Sequence, residues 1–218
     1  VLPLEAEKVG FFARWGRKIV LWGTKDSAEY VRIRELGFEP TLVSDFDSLK
    51  AAGDFSVLVV GHNTIDESVS TDPRWSDLLA AGRRMIVLEQ ETNLHYQATP
   101  ADGEPTTHTG SFAFPQNLKH PVFAGLKSED FIFWGDDHHV YTNAFTQPTH
   151  GADSLVQCGP NLKDCALCVS TSGEGLLVCS QLVVGGKLGT NPVAARLFDN
   201  LVRYALGYVP LRRATALW

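Results

Sequence analysis

The sequence predicts an α/β fold: a doubly wound, mostly parallel sheet with a β-rich insertion in its second half. Three observations carry this expectation. Near-continuous runs of Val, Ile and Leu recur at Arg17–Gly23, Phe55–Gly61, Arg84–Glu89 and Gly175–Ser180, the composition of strands covered on both faces. Segments with helical spacing lie between them, as crossovers linking parallel strands require. Gly23, Gly37, Gly61 and Gly82 stand where a strand or helix should stop.

Arg17–Gly23 is the first strand. Asp26 or Ser27 supplies an N-cap, and Ala28, Val31, Ile33 and Leu36 form a helical stripe that Gly37 ends. Phe38–Ser44 is a second strand, Phe46–Ala52 a short helical link, and Phe55–Gly61 a third strand. Asp72–Gly82 reads as a helix with Pro73 in its first turn, leading into the fourth strand, Arg84–Glu89. From Glu91 to Pro121 the periodicity disappears, and Gln97–Thr107 reads as a long exposed loop. Strand-like pieces follow at Phe131–Trp134, His139–Thr142, Ser154–Cys158 and Cys165–Val169. Gly175–Ser180 and a helix from Pro192 to Leu206 close the pattern. Residues 17–218 are expected to form one domain, with 1–16 a linker or arm carrying the apolar Phe11–Trp15.

With 218 residues, 44% hydrophobic and 20% charged, the chain can bury a core without disulfide or metal staples. A net charge of −6 gives no electrostatic reason to approach nucleic acid or an anionic membrane, and no apolar run approaches the ~20 residues that span a bilayer. The start, Val1–Glu5, lacks a Met and a basic-apolar leader, as expected of a processed or excised piece. Neither nucleic acid nor a membrane is expected as a partner.

The densest polar and aromatic cluster is Trp134–His139. As a ligand site, Trp134 would offer a flat face to a sugar ring, while Asp136, Asp137, His138 and His139 would meet its hydroxyls. The structural alternative is a turn between two strands. Adjacent imidazoles on a strand point to opposite sides, so no metal site is expected, although Glu89, His95 and His138 could be imagined as ligands. Open parallel sheets bind ligands beyond the carboxyl ends of their strands, so Glu89, Gln90 and His62 are further ligand-binding candidates; for Glu89, capping a helix start is an equal alternative. Cys158, Cys165, Cys168 and Cys179 fall in the last third and read as free thiols in a buried hairpin, not as a zinc site. Gly185–Pro192 lacks the Gly-Lys-Ser/Thr arrangement of a phosphate loop and reads as a loop.

Several of these segments carry a resemblance. The strand-Gly-helix opening, Val59–His62, Gly173–Gln181 and Asn191–Tyr204 resemble the flavodoxin-like class I glutamine-amidotransferase-like domain. His120–Leu126 with Asp130–Val140 is similar to a stretch found in its accessory form, which occurs in multidomain glycoside hydrolases and includes the β-galactosidase trimerisation-type domain. The resemblance runs from about Arg17 to Tyr208. Active members of the family place a Cys on the turn after a central strand. Here that turn reads Glu89-Gln90-Glu91-Thr92, and no Gly-x-Cys-x-Gly or Gly-x-Ser-x-Gly elbow occurs anywhere.

The resemblance therefore implies a non-catalytic accessory or oligomerisation module of a carbohydrate-active enzyme, with no catalytic residues and no cofactor. Its partners would be other domains of the same polypeptide, a carbohydrate ligand and further copies of itself. A secreted or periplasmic location would follow if it belongs to a glycoside hydrolase. The alternative is a free-standing hydrolase or lyase on a small sugar-like substrate, with His138 or His139 as base and Glu89 as acid.

Overall fold

The computed structural model describes residues 17–95 and 98–209, and within them the chain builds one nine-stranded sheet flanked by helices. In chain order the elements are β1 (Ile19–Trp22), α1 (Ala28–Glu35), β2 (Thr41–Val43), α2 (Phe46–Ala52), β3 (Val57–Val60), α3 (Glu67–Ser70), α4 (Arg74–Ala80) and β4 (Arg84–Val87). The second half adds β5 (Phe114–Pro115), β6 (Phe145–Thr146), β7 (Asp153–Cys158), β8 (Asp164–Ser172), β9 (Gly175–Ser180), α5 (Val184–Lys187) and α6 (Pro192–Gly207).

The strand order is β2-β1-β3-β4-β9-β8-β7-β5. β1 pairs in parallel with β2 and β3, β3 with β4, and β4 with β9. Beyond β9 the sheet turns antiparallel through β8, β7 and β5, with β6 joined to β8. The α/β class and the β-rich second half are thus as the sequence predicts. The apolar runs were readable because alternate residues face two separate cores. Ile19, Leu21, Val57, Val59 and Ile86 meet α1 and α6 on one face; Val20, Trp22, Leu58, Val60 and Met85 meet α2 and α4 on the other.

Local chemistry sets the helix ends. Ser27 caps α1 by accepting from Tyr30 N, and Asn191 caps α6 by accepting from Val193 N and Ala194 N, with Pro192 in the first turn. Arg32 on α1 grips Asp199 on α6 through two hydrogen bonds of 2.8 and 2.7 Å, tying first helix to last. At the start of β9 the backbone approaches α4 so closely that a Cβ on Gly175 would sit 1.9 Å from Leu79 O. Gly175→Ala is therefore expected to destabilise the fold by about 1–3 kcal/mol through overpacking, measurable as a lowered urea midpoint with an unchanged slope.

Three expectations are corrected. Phe131–Trp134 and His139–Thr142 are not strands: Ser128–Phe131 is a 3-10 turn, and the stretch after it holds only isolated bridges, including Phe112 with Ile132 and Gly110 with Tyr141. Left-handed backbone at Phe133, Gly135 and His138 prevents a continuous ladder there. The loop after β4 is not wholly exposed, because Leu94 and Ala98 are buried in the second core. Gly185–Lys187 is not loop but the body of the one-turn helix α5. The predicted arm at 1–16 lies outside the described residues.

Candidate functional site at the carboxyl edge of the sheet

The strand order reverses between β1 and β3, and the loops leaving these strands and β4 bring three titratable side chains together at their carboxyl ends. This switch point is where open α/β sheets usually place ligands. Glu29 comes from the first turn of α1, His62 follows β3, and Glu89 follows β4. Glu29 is fully buried. Its Oε1 accepts from His62 N at 2.9 Å and lies 2.7 Å from His62 Nδ1, so an ionised Glu29 fixes Nδ1 as the protonated ring nitrogen.

Glycines allow this convergence. A Cβ on Gly185 would lie 2.6 Å from Glu29 Oε1 and 2.8 Å from His62 Nδ1. Glu89 projects from β4 toward the same helix, with Oε2 accepting from Gly185 N at 3.1 Å and Oε1 from Gly186 N at 2.7 Å. Gln90 is saturated: Oε1 accepts from Thr64 N and Ile65 N, and Nε2 donates to Gly61 O and Leu88 O. Gln181, past the end of β9, accepts from Gln90 N and donates to Gln90 O, Thr142 O and Asn143 O. Together the two glutamines bind the ends of β4 and β9 to the loop that crosses them.

The environments push the three groups apart. Burial presses the Glu29 carboxyl upward, but the His62 ring, its backbone N–H and its charge outweigh this and hold Glu29 below the usual carboxylate range. The hydrogen bond to Glu29 raises His62 against the opposing effect of burial. Glu89 is pushed up to about 7 by burial, against the two glycine amides and the His62 charge. The result is an oriented, part-exposed imidazole beside a carboxyl that titrates near neutrality, an arrangement able to hold or pass a proton. It contains no thiol; all four cysteines are buried on β7, β8 and β9 as free thiols, and burial raises Cys158 further.

The sequence candidates thus separate into two groups. His62, Glu89 and Gln90 do meet, as their positions after β3 and β4 imply. Glu29 was missed, since a glutamate in a first helical turn is ordinary helix chemistry. In the second group, Asp136, Asp137, His138 and His139 are exposed, but Trp134 is corrected: it is 1% exposed, and its Nε1 donates to Asp130 O. Its ring offers no face to a ligand. The exposed ring is its neighbour Phe133, which packs edge-on against Phe112 and beside His138. Lys187 on α5 links the two groups, donating to Trp134 O and His139 O and pairing with Asp137. Among the described residues no group of three or more His, Cys, Asp or Glu is arranged to hold a metal, so Glu89, His95 and His138 do not form one.

No protein-family model matches the chain, and no curated protein matches it. Solved structures do. A Thermoplasma acidophilum protein assigned as a GMP synthase component superposes with a TM-score of 0.61 at 13% identity, over 87% of this chain and 94% of its own. The N-terminal domain of mmIFT52 gives 0.60 at 11% identity, over 88% and 99%. The fold is class I glutamine-amidotransferase-like. The β-galactosidase of Rahnella sp. R3 aligns with a TM-score of 0.48 at 16% identity, over 81% of this chain and 26% of the enzyme.

Within this fold, the corner that follows the central strand β4 holds Glu89, whose carboxylate is engaged by two backbone amides at the start of α5. That is the helix-start role weighed for it from the sequence.

Proposed function

We propose that this chain is a non-catalytic accessory or assembly module of a carbohydrate-active enzyme. The observation that carries the reading is the Glu89 corner. Acyl transfer on this scaffold would need a nucleophile presented to substrate after β4; here a buried carboxyl stands there with both oxygens bound to Gly185 N and Gly186 N. A scaffold of this kind hosts many functions, so the site and not the fold decides. The carbohydrate context rests on the resemblance of His120–Leu126 and Asp130–Val140 to the glycoside-hydrolase modules.

A second reading is favoured by one arrangement, the Glu29–His62 pair beside Glu89, which would serve a hydrolase or lyase on a small polar substrate. His62 then replaces His138 or His139 as the base, because of these three it is His62 that a buried carboxylate orients. The full chain should be assayed on glutamine and on chromogenic glycosides, with sedimentation run in parallel. The accessory reading expects no turnover above buffer and a stable oligomer that is lost when residues 1–16 are removed. Turnover abolished by His62→Ala would establish the second reading in its place.

A further inference from the structure

A cavity of about 1130 Å³ opens at the opposite, amino edge of the parallel strands, between the antiparallel part of the sheet and the last turns of α6. Leu155 on β7 and Val169 on β8 form its apolar floor, and the rings of His120, Tyr204 and Tyr208 line it. His120 and Tyr204 stand 4.9 Å apart, and Tyr204 and Tyr208 6.1 Å apart, all edge-on. None of these residues belongs to the carboxyl-edge cluster.

The polar groups around this floor have unused hydrogen-bonding capacity. Among the described residues, the Asp153 carboxylate, the Arg203 guanidinium and the Tyr204 hydroxyl have no hydrogen-bond or ion-pair partner. His120 Nδ1 accepts from Val122 N at 3.4 Å, which leaves Nε2 as the donor of a neutral ring; burial lowers the affinity of that ring for a second proton, against the pull of Asp153. Arg84, whose guanidinium lies 5.8 Å from the centre of the Tyr208 ring, is committed to the α6 carbonyls of Ala205 and Leu206. Among the residues that line the cavity, the charged side chains are one carboxylate, Asp153, and one guanidinium, Arg203.

We infer that this cavity binds a neutral saccharide of one to a few pyranose rings. An apolar floor with aromatic walls suits the C–H faces of a sugar, while Asp153 accepts from its hydroxyls and Arg203 and His120 donate to them. Balanced charge disfavours anions and cations alike, since either would leave one opposite-sign group satisfied and a like-sign group desolvated. The volume of about 1130 Å³ slightly exceeds the ~300–1,000 Å³ usual for small-molecule sites, with room for more than one ring. The inference rests on the carbohydrate context proposed above and names a ligand class for it.

Lactose and galactose, with galacturonate and galactosamine as charged counterparts, should be titrated into the isotope-labelled full chain and followed by amide shifts. The expected result is saturable shifts confined to His120–Ala124, Asp153–Leu155, Val169–Thr171 and Arg203–Tyr208, with the neutral sugars binding about tenfold tighter than the charged ones. Asp153→Ala and Arg203→Ala should each weaken lactose by about tenfold, the loss of one charge-assisted hydrogen bond. Both side chains are exposed, so an unchanged melting temperature is expected and checks folding. Tyr204→Phe keeps the ring and should weaken binding less than Tyr204→Ala. Shifts elsewhere, preference for a charged sugar, concentration-dependent burial of the cavity in a dimer, or no saturable shift with any of the four would overturn the inference. Sedimentation of the same samples separates it from the accessory reading: sugar binding without assembly refutes only the module, and assembly without sugar binding refutes only the cavity.

Discussion

Trp134→Ala should cost about 3–5 kcal/mol of folding stability, the range for emptying a well-packed aromatic site. Trp134 is among the largest fully buried side chains. Its ring packs 6.1 Å from Phe131, which in turn meets Phe123 edge-on, and removal also strands the carbonyl of Asp130 that Nε1 now satisfies. For a chain of this length each kcal/mol lowers the melting temperature by roughly 2–4 °C, so the variant should melt roughly 6–20 °C below the parent. Phe133→Ala is the matched control. That ring is 52% exposed, and its loss should cost well under 1 kcal/mol. If Trp134→Ala instead kept full stability while abolishing saccharide binding, the ring would be a ligand platform after all.

The contrast between Trp134 and Phe133 shows why this segment was hard to read. Polar and aromatic residues alternate there without a strand or helix period, because positive φ at Phe133, His138 and Asn143 breaks every regular pattern. The Trp–Gly–Asp–Asp–His–His run looks like an exposed cluster, yet its tryptophan turns inward and its polar residues outward. By contrast β1, β3, β4 and β9 were legible because burial on both faces fills them with apolar residues, Arg84 and Ser180 at two strand ends apart. β5 and β6 have two residues each and exist only through pairing with β7 and β8, so they leave no local signal. His62, Glu89 and Gln90 were placed together by strand order alone. Glu29 was not, since its burial depends on Gly61 and Gly185 closing over it from distant parts of the chain. The amino-edge cavity draws its walls from a 3-10 turn, two strands and a helix, a juxtaposition that no spacing in the sequence encodes.

Stability should pass through a maximum at mildly acidic pH and fall as the pH is raised toward 8, because Glu89 is harder to ionise inside the fold than outside it. Its carboxyl moves from an ordinary 4.5 to about 7, so between those values the folded state holds more protons than the unfolded state. Its contribution is therefore intact below 4.5, declines as pH rises, and is spent above 7. The interval corresponds to on the order of 3 kcal/mol. His62 acts in the same direction: its raised affinity for protons stabilises the fold below the ordinary imidazole value and is lost as pH climbs through the raised one. Glu29 sets the acid limit, since its lowered value gives stability that is present above 4.5 and lost as pH drops through that lowered value.

Glu89→Gln isolates the largest of these effects. The amide has one acceptor where the carboxyl has two, so either Gly185 N or Gly186 N is left without a partner, a penalty of about 1–3 kcal/mol at pH 5. The variant carries no charge to desolvate at this position, so its decline from pH 5 to 8 should shrink to the part that His62 contributes, while the parent falls more steeply toward it. Urea midpoints across that range test the argument. A parent that gains stability between pH 6 and 8, or a variant that keeps the parent's full alkaline slope, would mean that Glu89 is already ionised inside the fold, its two glycine amides outweighing the cost of burial.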